Sequence, residues 1–163
     1  MRLALTGSPG VGKTSVARGL AAALKLSYVN EQGFAHAQGL GSWDEEANEL
    51  VVPLEALQMA LEKHLAGLER FVVEGHLVCE MALPVDVCLV LRVDPEVLEA
   101  RLERRGYRAE KVQDNVFCEG IEYCLKHARR AYGRDKVVEV RSGKTVKETV
   151  EAIVGLLGER GLK

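Results

Sequence analysis

Gly7-Ser8-Pro9-Gly10-Val11-Gly12-Lys13-Thr14 is the stretch whose reading decides the fold. It satisfies the spacing G-x-x-x-x-G-K-[ST] in the only context where that spacing has a mechanism. Before it, Arg2-Leu3-Ala4-Leu5-Thr6 reads as a buried strand; after it, residues 14–24 carry alanine and leucine at three-to-four spacing, a helix. Between strand and helix the glycines let the chain turn back with its N–H groups pointing inward, a nest for phosphate oxygens. The helix adds unpaired N–H groups and the positive end of its dipole. Lys13 is then placed to reach the β- and γ-phosphates of a nucleotide, and Thr14 to offer its hydroxyl to Mg²⁺.

Outward from this loop, short apolar runs alternate with longer helical stretches, which predicts βαβ units on a parallel sheet. Further strands are expected at residues 27–30, 71–73, 85–91 and 137–140. The runs at 71–73 and 85–91 lack polar alternation, as strands covered by helices on both faces do. Leu54, Leu57, Leu61 and Leu65 share one face of a helix over 53–65, with Pro53 at its first position. Asp94 caps a further helix that begins with Pro95, a charged stretch at 101–114 interrupts, and helices follow at 116–132 and 146–157. Trp43-Asp44-Glu45-Glu46 reads as an acidic loop. No repeat or linker breaks the pattern, so residues 1–163 are expected to form one domain.

Composition narrows the function classes. A net charge of −2 and a pI near 6.1 argue against a protein coated in nucleic acid. No apolar run approaches the roughly 20 residues of a membrane helix, and the start of the chain has no signal-peptide pattern, so a cytoplasmic protein is expected. Cys79, Cys88, Cys118 and Cys124 form no metal or disulfide spacing and read as reduced thiols acting as small hydrophobes.

A magnesium site on Thr14 needs a carboxylate from a neighbouring strand end, and Phe71-Val72-Val73-Glu74-Gly75-His76 delivers Glu74 there. Two readings of His76 stand side by side: it orients a water or a substrate hydroxyl, or it caps the loop. Among Arg101, Arg104, Arg105 and Arg108, the residue beside Gly106-Tyr107 is the catalytic candidate, since Arg105 sits where the helix ends. Its always-charged fork suits a phosphoryl group in flight. Arg101 is expected to pair along the helix with Glu99 or Glu103, while Arg129 and Arg130 are weaker candidates for the same phosphates.

Together these residues resemble the adenylate kinase isoenzyme six family, a small nuclear and archaeal group linked to ribosome assembly. The resemblance runs through Tyr28-Val29-Asn30, Asp44-Glu45-Glu46, Glu74-Gly75-His76 and Val90-Leu91-Arg92. Its rarest part is Glu103-Arg104-Arg105-Gly106-Tyr107, continuing through Lys111 to Asp114-Asn115 and Glu119. The resemblance implies the P-loop nucleoside monophosphate kinase fold, α/β with a five-stranded parallel sheet, an acceptor segment at 30–51 and a lid at 104–114. It implies ATP contacts at Gly10, Val11, Gly12, Lys13, Thr14, Ser15 and Arg105, with Mg²⁺ on Thr14 and Glu74, partly through water. It further implies both AMP phosphorylation and ATPase activity, and a ribosomal protein of the small-subunit platform as partner.

The sequence also departs from that pattern. Glutamate stands at 74 where the family often has aspartate, and Val52-Pro53-Leu54 replaces an acidic group of its eukaryotic members. Ordinary adenylate kinases clamp AMP with acceptor-segment arginines, yet no arginine occurs here between Arg18 and Arg70. The lid lacks the four-cysteine zinc set of longer adenylate kinases, so no structural metal is expected. The leading expectation is ATP-dependent phosphorylation of AMP or a related monophosphate. The alternative is an ATPase assembly factor that binds and releases a ribosomal protein. A small-metabolite kinase is a third reading, and no Asn-Lys-x-Asp motif supports a GTPase.

Overall fold

Arg2–Thr6 forms β1, and everything that positions the site is arranged around it. The structure is a computed structural model and describes residues 1–162. After β1 come α1 (Lys13–Leu24), β2 (Ser27–Asn30), α2 (Glu31–Ala37), β3 (Ser42–Asp44), β4 (Glu49–Val51) and α3 (Leu54–Leu65). The chain continues through β5 (Phe71–Glu74), β6 (Val87–Arg92), α4 (Pro95–Arg104), α5 (Ala109–Gly120), α6 (Tyr123–Tyr132), β7 (Val137–Arg141) and α7 (Val146–Glu159).

Five strands make one sheet in the order β2-β5-β1-β6-β7, every pairing parallel. Because side chains alternate along a strand, apolar residues at successive positions feed two cores. Leu3, Leu5, Leu89 and Leu91 face α1, α4 and α7 through Leu20, Leu98, Leu102 and Ile153. Ala4, Val73, Cys88 and Val90 face α3 and α6 through Leu57, Leu61, Leu65 and Leu125. Each such leucine, taken fully from water, stabilises the fold by about 1.5–3 kcal/mol. The expected five-stranded parallel sheet with helices on both faces is therefore what forms.

Register brings the strand ends level. Leu5 lies opposite Glu74 in β5, and Asn30 of β2 lies opposite Glu74 from the other side. The C-terminal ends of β1, β2 and β5 thus open on one crevice, where ligands of doubly wound sheets bind.

Four expectations are corrected locally. Residues 116–132 are not one helix: α5 ends at Gly120, Glu122 takes a left-handed conformation (φ 59°), and α6 restarts at Tyr123. The charged stretch is largely helical, since α4 runs to Arg104 and α5 begins at Ala109, leaving only a short turn around Gly106 (φ 74°). The acidic loop at 43–46 begins inside an antiparallel hairpin in which Trp43 of β3 faces Leu50 of β4. Pro53 stands just before α3 rather than in its first turn. No helix among the described residues is long and apolar enough to cross a membrane.

Candidate active site

The phosphate loop leaves β1 and enters α1 through Gly12, whose φ of 98° only glycine adopts without strain. Gly10 is constrained twice: its φ is 88°, and a Cβ there would lie 2.7 Å from Leu102 Cδ2 of α4. The loop is held from inside. Lys13 Nζ donates to the Ser8 carbonyl at 3.0 Å, folding the lysine back over the turn. Burial pushes its ammonium below the ordinary lysine range, against the pull of Cys124, Glu74 and Glu31. Ser8, fully buried, donates its hydroxyl to Glu119 Oε2 at 2.7 Å. Glu119 Oε1 in turn accepts from Arg92 Nε at 2.5 Å and from the Val93 amide at 3.3 Å. A carboxylate at the end of α5 therefore ties the loop to the end of β6.

Glu74, at the tip of β5, is 1% exposed. Its Oε1 accepts three hydrogen bonds: from Thr14 Oγ1 at 2.9 Å, Tyr28 OH at 2.8 Å and Asn30 Nδ2 at 2.6 Å. Thr14 and Glu74, separated by sixty positions in sequence, are thus in direct contact. A hydroxyl and a carboxylate side by side at the mouth of a phosphate nest are hard oxygen donors of the kind magnesium takes. The donor set fits the ion.

His76 follows on the loop after β5. Its Nδ1 lies 3.2 Å from the Gly7 carbonyl and 3.5 Å from Cys124 Sγ. Its own carbonyl accepts from Thr6 Oγ1 at 3.2 Å and Cys79 Sγ at 3.1 Å. Burial works against its imidazolium, but the Cys124 sulfur and the Gly7 carbonyl outweigh that and raise its pKa. Cys124 moves the other way, its thiol pulled below the ordinary range by its contacts with Cys79 and His76. The thiols at 79 and 124 are buried, yet they are hydrogen-bonded partners of His76 rather than plain hydrophobes. His76 braces the loop through Gly7 and also lines the larger cavity, so both readings of it keep a structural footing.

Two cavities meet at the loop. The larger, about 440 Å³, is lined by Lys13, Thr14, Asn30, Glu31, Glu74 and His76, with Tyr107 and Lys111 reaching in beyond the turn after α4. Leu50, Val52 and Leu57 give it an apolar wall. The smaller, about 220 Å³, lies on the other side of the loop, against Gly10, Gly12, Ser15, Arg101 and Arg105. The strip 142–146 after β7 closes it. Arg105 is where the sequence places it. Arg101 is not in the helix pairing expected of it: its Nη1 donates to the Val11 carbonyl at 3.4 Å and it lines the smaller cavity. Geometry explains the change, because one helical turn before Arg105 puts Arg101 on the same face of α4. Arg129 and Arg130 are exposed and line neither cavity.

The fold also brings here residues that sequence reading named only as members of a segment, and one that it missed. Glu31, Tyr107 and Lys111 line the larger cavity, and Ser142, with a buried Oγ that has no partner among the described residues, lines the smaller. Tyr107 and Lys111 belong to the lid pattern and Glu31 follows β2 into the acceptor segment, so their segments were within reach; Ser142 carries no signal in a single sequence.

Comparison with known proteins agrees with this geometry. A family model described as an AAA domain (AAA_18) matches residues 3–122. A protein of Pyrococcus furiosus named "Putative adenylate kinase" is 38% identical over 164 residues, covering 100% of this chain and 87% of that protein. A protein of Pyrococcus abyssi with the same name is 39% identical over 158 residues, covering 96% of this chain and 84% of its own length. In three dimensions the chain is similar to shikimate kinase from Bacteroides thetaiotaomicron, with a TM-score of 0.69 at 19% identity over 97% of this chain and 98% of that one. That likeness speaks for the fold alone. Identity at the level of the archaeal relatives, sustained from end to end, means that the chain belongs to the adenylate kinase-like P-loop kinases built on the nucleoside monophosphate kinase fold.

Proposed function

We propose that the protein transfers the γ-phosphoryl group of ATP to AMP, giving two ADP. The observation that carries this reading is the pair of cavities sharing one phosphate loop, with Lys13 and Thr14 on the larger and Gly10, Gly12 and Ser15 on the smaller. In this reading the adenosine of ATP occupies the smaller cavity beside Arg105 and the strip at 142–146, and the triphosphate crosses the loop into the larger one, where the acceptor waits. An oxygen of the AMP phosphate bonds to the γ-phosphorus as the bond from that phosphorus to the ADP oxygen breaks.

The chain's own residues orient and stabilise. The loop amides from Gly10 to Ser15, Val11 included, grip the triphosphate, and Lys13 and Arg105 meet the charge that spreads over the transferring group. Thr14 and Glu74 would hold magnesium, partly through water; when bound, the ion neutralises charge on the phosphates. His76 keeps the loop in place through Gly7 and faces the acceptor. The lid at 104–114 excludes water by bringing Tyr107 and Lys111 over the larger cavity.

A second reading makes hydrolysis the output. The acceptor segment 30–51 has no arginine to clamp a phosphate, which favours a cytoplasmic ATPase that binds and releases a small-subunit ribosomal protein. The test is steady-state ADP production from ATP and magnesium, with and without each nucleoside monophosphate. Strong acceleration by AMP is expected. Production indifferent to every monophosphate but altered by a platform ribosomal protein would transfer the case to the second reading.

A further inference from the structure

The larger cavity has an unusual charge balance for a place where a phosphate should land. Lys13 and Lys111 line it, but so do two buried carboxylates, Glu31 and Glu74, and no arginine among the described residues does. Lys13 is turned onto the Ser8 carbonyl, and Lys111 Nζ donates to the Ala47 carbonyl at 3.4 Å and lies 5.5 Å from the Tyr107 ring. Glu74 is occupied by Thr14, Tyr28 and Asn30. Glu31 is not occupied in this way.

Glu31 opens α2 immediately after β2 and is 6% exposed. Its Oε2 accepts from the Val78 amide at 2.8 Å, while the hydrogen bonds of the described residues give Oε1 no partner. The side chain is admitted by Gly75, since a Cβ at that position would run into the Glu31 carboxylate. A buried carboxylate lining the cavity, with one oxygen unpartnered, acts on whatever enters it. Like charges in a partly dry site repel far more strongly than in bulk water.

We propose that Glu31 is a selectivity residue of the acceptor cavity, weakening the binding of dianionic monophosphates relative to the same nucleosides without phosphate. This rests on the larger cavity being the acceptor site. The protein is then a kinase that takes AMP only at high concentration. Selectivity arises from an introduced repulsion, with the missing arginines a separate loss of attraction.

The test is steady-state ADP formation at pH 8.5, above the value of about 7 to which burial raises the Glu31 carboxyl, at saturating magnesium-ATP with AMP varied, in the wild-type protein, Glu31→Gln and Glu31→Thr. Adenosine serves as an uncharged competitor. Glutamine keeps an acceptor for the Val78 amide, and threonine provides a second variant should the first fold poorly; melting temperatures identify any misfolded protein. The KM for AMP is expected to fall about tenfold or more in the folded variants, with the inhibition constant of adenosine and the KM for ATP moving far less. A general loosening of the cavity would instead shift AMP and adenosine together and would overturn the assignment. So would an unchanged KM for AMP in a folded variant, while wild-type acceleration by AMP left the kinase reading intact. If AMP accelerated neither the wild type nor any folded variant, the acceptor-site reading would fall and this inference with it.

Discussion

At the scale of single residues, Lys13 and Glu31 are the groups whose chemistry is most exposed to test. Lys13 is held by the Ser8 carbonyl and partly desolvated, so its charge acts through a medium of lowered dielectric. A unit charge about 4 Å from a phosphate oxygen is worth about 4 kcal/mol at an effective dielectric near 20. Each 1.36 kcal/mol of that gained only in the transition state is about a factor of ten in rate. Lys13→Ala is therefore expected to lower turnover by at least about a hundredfold; turnover close to wild type would remove the lysine from the mechanism. Glu31 makes a prediction about stability. Burial pushes its carboxyl up to about 7, against His76, the Val78 amide and Lys13. The folded chain then keeps a proton that the unfolded chain releases, and stability declines as pH rises through the window from about 4.5 to about 7. At about 1.36 kcal/mol per pKa unit the residue's share is of the order of 3 kcal/mol. Glu31→Gln is expected to be more stable than wild type in urea at pH 8, with the gap closing towards pH 5. A gap that stayed constant across that range would contradict the placement of Glu31.

Elements come next, because the loop is only as firm as what holds it. Glu119, 2% exposed at the end of α5, joins Ser8 of the loop to Arg92 of β6 and to Val93 just after it. Glu119→Gln removes the charge from a buried network and leaves Arg92 with the more exposed Glu122 and Glu139. The expected cost is about 2–4 kcal/mol, seen as a lower urea midpoint with an unchanged slope; an unchanged midpoint would mean the tie is decorative. Much at this scale was legible in the sequence. Leu57, Leu61 and Leu65 announced α3, and the apolar runs at 71–73 and 85–91 announced two covered strands, because burial on both faces of a sheet leaves only apolar choices. What was hidden had no burial to advertise it. The residues of β3 are exposed throughout, and α2 is seven residues long with Gly33 inside it. The break between α5 and α6 was masked by apolar spacing that continues while the chain changes direction at Glu122, a left-handed residue that is not glycine. At the site, the direct contact of Thr14 with Glu74 followed from strand-end logic. The inward turn of Arg101 and the burial of Glu31 did not, since a charged residue in a sequence gives no sign of which way it faces.

For the molecule as a whole, five parallel strands place the loop at the middle of the sheet and cavities on either side of it. The likeness to shikimate kinase speaks for the fold alone, so the acceptor has to be argued from the larger cavity. Binding of magnesium-ATP to the folded chain is expected to raise its stability by about 2.7 kcal/mol at a hundred times the dissociation constant, read as a concentration-dependent rise in melting temperature. Everything rests on the amides between β1 and α1, with Lys13, gripping a triphosphate. Isothermal titration of the protein with ATP in the presence of magnesium measures that directly. One site per chain is expected, weakened or lost in Lys13→Ala and weakened when magnesium is chelated. No heat of binding from the wild-type protein, or equal affinity in the variant, would contradict the account.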